Sequence, residues 1–318
     1  MKIILPPEPK LDWNLPGEVE PVFLSENQEV PAEHQDAEAA VVWGMTPAVH
    51  PFVEQLPNVR YWQSMAAGPD GLMSSNLRTD AVVCNGAHFH DRTVSEHALA
   101  LTLALVRRVP KLMRDKQNHT WDTAMGQERD LHSDQWVHTV VDSKVVVWGF
   151  GAIGQAIGKR FAAFGSKVVG IAQSAGTRSG FQTYAVDNIL EVLADTDILV
   201  MVLPRAENTE NALNQQVIDA LPDRAVVVNV GRGSTVDESA LANALKNGHL
   251  SGAGIDVAQT EPLPESSPLW DTPNLIISPH CAGGRPDGLV DVVAHNLKKI
   301  KEGDVAGMRN LMRTPQSK

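Results

Sequence analysis

A chain of 318 residues with 43% hydrophobic content is too long for one ordinary core and fits two domains of usual size. No apolar run approaches the ~18 residues of a membrane span, and the opening MKIILPPEPK, stopped by prolines, is not expected to be a signal peptide. A net charge of −11 argues against nucleic acid and anionic membrane as partners, while two cysteines, Cys84 and Cys281, supply neither a disulfide framework nor a zinc knuckle and point to a reducing, cytoplasmic setting.

From the amino terminus, short apolar and β-branched runs predict strands at 2–5, 19–24, 40–43, 59–63 and 81–84. Between them TPAVHPFVEQLP predicts a helix, with Thr46 as its cap and Pro47 in its first turn. Alternation of this kind specifies a parallel sheet covered by helices. In AHFHDRT, His88 and His90 stand two apart with no third ligand at a fitting spacing, so they are expected in a solvated loop, with no metal and no catalytic role. TVSEHALALTLALVRRV then places Thr93 and Glu96 at capping-box spacing ahead of a run that is apolar nearly all round, a deeply buried helix connecting two strand-rich regions. The polar segment 115–143, with Trp121 and Trp136, is expected to wrap the surface without chemistry of its own.

A second alternating set predicts strands at 144–148, 167–172, 197–203, 225–230, 252–257 and 275–278. Thr235 and Glu238 have the spacing of another capping box at the start of DESALANALKNG, and VDVVAHNLKKIKEGD reads as a helix with a basic last turn. Within this set, KVVVWGFGAIGQAIG runs from a buried-looking strand through Gly149, Gly151 and Gly154 into a helix. A bare G-x-G-x-x-G is weak evidence, but this one has a strand before it and a helix after it. Gly149 suits the tight turn, Gly151 lets the backbone approach a pyrophosphate, and Gly154 permits close packing of helix on strand; the N–H groups of Ala152 and Ile153 at the helix start then face the phosphates.

The end of the following strand, at Ala172, is where an acid usually binds the ribose 2′-hydroxyl of NAD and repels the 2′-phosphate of NADP. VVGIAQSAGTRSG carries no acid there. Gln173 repels nothing, Ser174 and Thr177 offer hydroxyls, and Arg178 offers a cation within reach of a 2′-phosphate, so NADP is the expected cofactor, with NAD possible if Arg178 is merely solvated.

Three residues of the last third sit just past predicted strands, where open α/β sheets bind their ligands: Arg232 in NVGRGSTVDESAL, Glu261 in GIDVAQTEPLP and His280 in SPHCAGG. With VRYWQSMAAGPDGL, TVSEHALALTLAL, GFGAIG and NLKKIKEGD these motifs stand in the order of the D-isomer-specific 2-hydroxyacid dehydrogenase family, which the chain resembles over most of its length. The resemblance implies an α/β fold of two domains. One is a Rossmann-type doubly wound parallel sheet over 99–285; the other is a discontinuous flavodoxin-like substrate domain over 1–98 and 286–318. It also implies a catalytic Arg232–Glu261–His280 set, with histidine as proton donor, glutamate orienting the ring and stabilising its protonated form, and arginine gripping the substrate carboxylate. By family position Ala66, Ala67 and Gly68 hold that carboxylate through backbone N–H groups, and Pro204, Asn229 and Gly231 line the nicotinamide or ribose pocket. Asp256 supports either Arg232 or the histidine dyad. Glu261 disfavours the formate dehydrogenase branch, which uses glutamine there, and the long, effector-controlled phosphoglycerate dehydrogenases are a poor match. The expected activity is reduction of a small 2-keto acid such as glyoxylate or hydroxypyruvate by a homodimer. The alternatives are an NAD(H)-sensing corepressor-like scaffold on the same fold and phosphite oxidation by the same triplet.

Overall fold

The computed structural model describes residues 1–127 and 133–314. The chain divides into two compact units, one of Met1–His90 with Arg285–Lys318 and the other of Asp91–Gly284. The first unit opens with β1 (Lys2–Leu5), β2 (Glu20–Phe23), β3 (Ala39–Val42), the short helix α1 (His50–Glu54), β4 (Tyr61–Ser64), α2 (Asp70–Met73) and β5 (Val82–Cys84). The second begins with α3 (Asp91–Val106) and α4 (Val109–Gln117), and continues through β6 (Lys144–Trp148), α5 (Ala152–Ala163), β7 (Lys167–Ala172), β8 (Gly176–Arg178) and β9 (Phe181–Ala185). It ends with α6 (Ile189–Leu193), β10 (Ile198–Met201), α7 (Gln215–Asp219), β11 (Val226–Asn229), α8 (Glu238–Lys246), β12 (Gly252–Ile255) and β13 (Leu275–Ile277). The chain then returns to the first unit with α9 (Leu289–Glu302) and β14 (Leu311–Arg313).

In the first unit six strands lie in the order β14-β5-β4-β3-β1-β2, all parallel except β14, which runs antiparallel to β5. The parallel part has the flavodoxin-like order, outward from β1 in both directions. Both faces are buried, as a parallel sheet requires. Ile4, Ala40, Val42, Trp62 and Val83 pack against Phe52 and Val53 of α1, and Ile3, Leu5, Val41, Tyr61 and Cys84 pack with Leu289, Val293 and Leu297 of α9.

The second unit holds eight strands in the order β13-β12-β11-β10-β6-β7-β9-β8, parallel except for the β8–β9 hairpin. Strand order reverses between β6 and β10, which makes the carboxyl ends of those strands the crevice where such sheets bind ligands. One face, including Val146, Trp148, Leu199, Met201 and Val227, packs with α6, α7 and α8. The other, including Val145, Val147, Val200 and Val228, packs with Leu101 and Leu105 of α3 and Ile157 and Phe161 of α5.

Several local expectations give way to tertiary structure. α3 begins at Asp91, so Thr93 lies inside it and donates its hydroxyl to the Gly283 carbonyl instead of capping. α8 is capped by Asp237, whose carboxylate accepts the Ala240 N–H, while Thr235 donates to the Arg232 carbonyl at 2.6 Å. Thr46 makes no side-chain cap, and Pro47 stands in a 3-10 turn that leads into α1. The polar stretch after Ala172, which the sequence did not mark as a strand, forms the β8–β9 hairpin. α3 places residues 91–98 with the second unit, where the sequence put them with the first, because the whole helix packs on α5 and the sheet. Of the expected wrapping segment 115–143, residues 128–132 lie outside the described part; within the rest, Trp121 is 91% exposed and Trp136 lies under the Arg108 guanidinium, 3.9 Å from its ring centre. No helix among the described residues is long and apolar enough to cross a membrane.

Candidate active site

β6 hands over to α5 through Gly149, Phe150 and Gly151. Gly149 holds φ +102°, and a Cβ there would sit 2.6 Å from the Val202 carbonyl just past β10. A Cβ on Gly154 would lie 2.3 Å from the Gly149 carbonyl. The protein itself therefore requires both glycines. Gly151 is different: a Cβ there meets nothing within 4 Å, so packing among the described residues does not require a glycine and the space in front of it is open. Gly151 is also the N-cap of α5, with no side-chain cap and no acid in the first turn. The N–H groups of Ala152 and Ile153 thus lie at the positive end of the helix dipole with no side chain capping them, an arrangement that fits a bound pyrophosphate.

At the end of β7, Gln173, Ser174 and Thr177 are exposed. Arg178 folds back, donating from Nη2 to Ser174 Oγ at 3.1 Å and to the Ser174 carbonyl at 3.3 Å, and from Nη1 to the Phe150 carbonyl at 3.4 Å. Its guanidinium spans from the β7–β8 turn to the glycine turn, and the segment 172–178 supplies no carboxylate to oppose an anion beside it.

The loops after β10, β11, β12 and β13 complete the site. Pro204, three residues past β10, is exposed and accepts the Thr209 hydroxyl on its carbonyl at 2.7 Å. Asn229, 1% exposed at the end of β11, staples the next turn, accepting the Gly231 N–H at 3.0 Å and donating to the Arg232 carbonyl at 3.1 Å. Gly233 lets this turn press on the neighbouring one, since a Cβ there would fall 1.9 Å from the carbonyl carbon of Ala258. Gln259 reinforces that contact: its N–H donates to Glu238 at 2.7 Å and its side chain donates to the Val236 carbonyl at 2.6 Å. The Arg232 and Glu261 loops are thereby fixed against each other.

Glu261 takes the Ala258 N–H on Oε1 at 3.0 Å and His280 Nδ1 on Oε2 at 2.7 Å. Partial burial would raise its pKa, but the hydrogen bonds from His280 and Ala258, with the charges of His280 and Arg232, outweigh that and hold it below the ordinary carboxylate value. A carboxylate only accepts, so Nδ1 of His280 carries a proton and Nε2 is left for chemistry. His280 and Glu261 are 29% and 35% exposed at their side chains, open enough for a ligand to reach. A cavity of about 670 Å³ adjoins the dyad, walled by Val257, Pro262, Leu263, Trp270 and Ile277.

Asp256, 1% exposed, is the clamp of the histidine turn. Its Oδ1 accepts Ser278 Oγ at 2.6 Å and the Cys281 N–H at 3.0 Å, its Oδ2 accepts the Ala282 N–H at 2.9 Å, and its carbonyl accepts the His280 N–H at 2.7 Å. Of the two supports expected of it, the geometry gives the one to the dyad. Ser278, and His97 bonded to it at 2.9 Å, were not singled out from the sequence; the signal available was their place beside the SPH step and on a buried helix.

In the first unit, Ala66, Ala67 and Gly68 follow β4. The Ala66 N–H is already taken by Ser64 Oγ at 3.0 Å, so that residue is not an open donor as expected. Among the described residues the Ala67 N–H has no protein acceptor, and its carbonyl receives Asn85 Nδ2 at 3.0 Å. His88 is exposed, but His90 is 5% exposed, stacked on Trp43 at 5.9 Å and bonded to the Met65 carbonyl at 2.9 Å. The expected solvated loop therefore holds for His88 alone; His90 is part of the core because its ring has an aromatic face to cover.

The family described as D-isomer specific 2-hydroxyacid dehydrogenase, NAD binding domain, matches residues 99–282. A glycerate dehydrogenase of Methylorubrum extorquens is 27% identical over 286 residues, covering 88% of this chain and 86% of its own. A glyoxylate/hydroxypyruvate reductase of Arabidopsis thaliana is 27% identical over 277 residues, 85% of this chain and 81% of its own. Among solved structures, a D-isomer specific 2-hydroxyacid dehydrogenase from Xanthobacter autotrophicus in complex with NADPH and MES superposes with a TM-score of 0.81 at 25% identity, covering 98% of this chain and 97% of that one.

Proposed function

The chain belongs to the D-isomer specific 2-hydroxyacid dehydrogenase family of NAD(P)-dependent oxidoreductases, and from that premise we propose that it reduces a small 2-keto acid, such as glyoxylate or hydroxypyruvate, with NADPH as the preferred donor. The observation that carries the reading is the 2.7 Å bond of His280 to Glu261, with the Arg232 charge felt at the same carboxylate, at strand ends of the sheet that carries the glycine turn. A dinucleotide held by its pyrophosphate at that turn would supply hydride for the carbonyl carbon. His280 delivers the proton to the carbonyl oxygen from Nε2. Arg232 holds the substrate carboxylate and steadies the charge that grows on the oxygen. Gly149, Gly151, Ala152, Ile153 and Gly154 cradle the pyrophosphate, and Pro204, Asn229 and Gly231 line the nicotinamide side. Asp256 acts one step back, by holding the histidine turn.

The preference for NADPH rests on the lack of an acid at Ala172, where one would have excluded a 2′-phosphate, with Gln173, Ser174, Thr177 and the Arg178 cation following it. The test is a panel of 2-keto acids assayed with each reduced nicotinamide. Glyoxylate or hydroxypyruvate should be turned over with the higher kcat/KM for NADPH, and Arg178→Ala should raise KM for NADPH while leaving that for NADH unchanged. Higher efficiency with NADH, or no oxidation of either cofactor by any acid, would sink the corresponding half of the proposal. The half-exposed row Val109, Leu112 and Met113 on α4, with Trp121 beyond it, suits a homodimer contact through the cofactor-binding unit, which sedimentation of the purified chain would test.

A further inference from the structure

We propose that His97, Asp256 and Cys281 form a binding site for a zinc ion immediately behind the catalytic histidine. One ligand atom from each, Nε2, Oδ1 and Sγ, lies within 4.8 Å of the others. Nε2 of His97 is 3.4 Å from Asp256 Oδ1, and Cys281 Sγ is 3.6 Å from the same oxygen. Tetrahedral zinc, with bonds of about 2.0–2.1 Å to N and O and about 2.3 Å to S, separates its ligand atoms by roughly 3.3–3.6 Å. Two of the three edges already have that length. The donor set of imidazole, carboxylate and thiolate is one that zinc accepts, and a water completes four-coordination.

The groups are arranged for ordinary hydrogen bonding when no ion is bound. The single proton of Ser278 goes to Asp256 at 2.6 Å, so the 2.9 Å contact from His97 to Ser278 is an Nε2–H donation. The Cys281 thiol is pushed up by burial and by the Asp256 carboxylate beside it. A divalent cation inverts that relation, because it stabilises the thiolate which the carboxylate alone disfavours. On binding, the Cys281 proton leaves to solvent, the His97 proton moves to Nδ1, and Nε2, Oδ1 and Sγ become ligands. Cys281 is exposed and provides the way in; Asp256 is buried and His97 24% exposed. Cys281 follows His280 directly, and the Cys281 and Ala282 N–H groups hang on the Asp256 carboxylate. An ion bound there competes for the same Asp256 oxygen that accepts Ser278 Oγ and the Cys281 N–H, loosens the histidine turn and inhibits turnover.

The test uses the full chain freed of metal by chelator. Calorimetric titration with zinc chloride should show one ion per chain, and zinc-edge X-ray absorption should show one sulfur among nitrogen and oxygen neighbours. That sulfur reports Cys281, since Cys84 is buried with its thiol pushed up to about 12. Cys281→Ser and His97→Gln, each checked for native circular dichroism, should weaken binding tenfold or more, and chelator should restore the turnover of zinc-treated wild type. No uptake, a zinc shell without sulfur, or undiminished affinity in the folded variants would overturn the site. The loss of turnover rests on the reading of His280 as proton donor, whereas the binding data do not. Stoichiometric binding through sulfur with undiminished turnover would uphold the site and overturn the inhibition.

Discussion

At His280 the backbone holds φ +52°, a left-handed conformation that costs a non-glycine residue about 1–2 kcal/mol. The Asp256 bonds to the His280, Cys281 and Ala282 N–H groups keep the turn in that conformation, so the imidazole meets Glu261 from a fixed direction. Replacing the ring by His280→Gln removes the proton donor but leaves the glycine turn untouched. Turnover should fall by about 10²–10⁴-fold while the dissociation constant for NADPH, read by fluorescence titration, stays within a factor of a few. Glu261 gives a pH prediction with a definite sign. Its folded pKa lies below the ordinary 4.5, so its ionised form contributes stability that is fully present above that value and fades as pH falls through the lower, folded value. The melting temperature of wild type should exceed that of Glu261→Gln at neutral pH, and the gap should close only below about pH 4.5; a gap that closed at neutral pH would contradict the assignment. At this scale the sequence was informative about His280 and Glu261, which the fold brings to 2.7 Å of each other. It was silent on Ser278 and His97 and misjudged Ala66, because partners of a side chain or an N–H are set by loops distant in the chain.

At the scale of elements, the strand–turn–helix of β6 and α5 was legible because three glycines at fixed offsets have no other economical use, yet they do not act alike. Gly154→Ala drives a Cβ to 2.3 Å from the Gly149 carbonyl, which backbone on both sides cannot yield to without shifting. It should destabilise the protein by about 1–3 kcal/mol, the range typical of overpacking. Gly151→Ala meets nothing within 4 Å and keeps an ordinary φ of −81°, so the melting temperature should stay within about a degree or two. Its methyl group occupies the space left for the pyrophosphate, and affinity for NADPH should fall at least tenfold. Denaturant titration and cofactor titration of the two variants should thus give opposite patterns; loss of stability in Gly151→Ala with full cofactor affinity would show that the open space serves packing. The helix caps were less legible. Thr93 and Thr235 have the right neighbours for capping boxes, but tertiary contacts assign their hydroxyls elsewhere, and a local pattern carries no information about such competition.

For the molecule as a whole, two parallel sheets were legible because strands buried on both faces must be apolar, as ILVM is throughout and KVVVW is after its first residue. The β8–β9 hairpin and β14 escaped notice, being short and partly polar segments at sheet edges, where burial does not discipline the sequence. Net charge was legible too, and it has a kinetic consequence. A chain of net charge −11 repels both a 2-keto acid anion and NADPH at long range, while Arg232, Arg178 and the N–H groups attract them only at contact. Raising ionic strength from about 0.01 to 0.15 M shortens the screening length from roughly 30 to 8 Å. That removes most of the long-range repulsion and weakens the contacts at 3–4 Å far less. kcat/KM for the keto acid should therefore rise a few-fold over that range of sodium chloride. A site whose basic groups steered anions from a distance would show the reverse, a steady decline with salt. Stopped-flow association of NADPH at the same ionic strengths separates the two cases directly: an on-rate that falls with added salt would mean that local cations, rather than net charge, govern the approach.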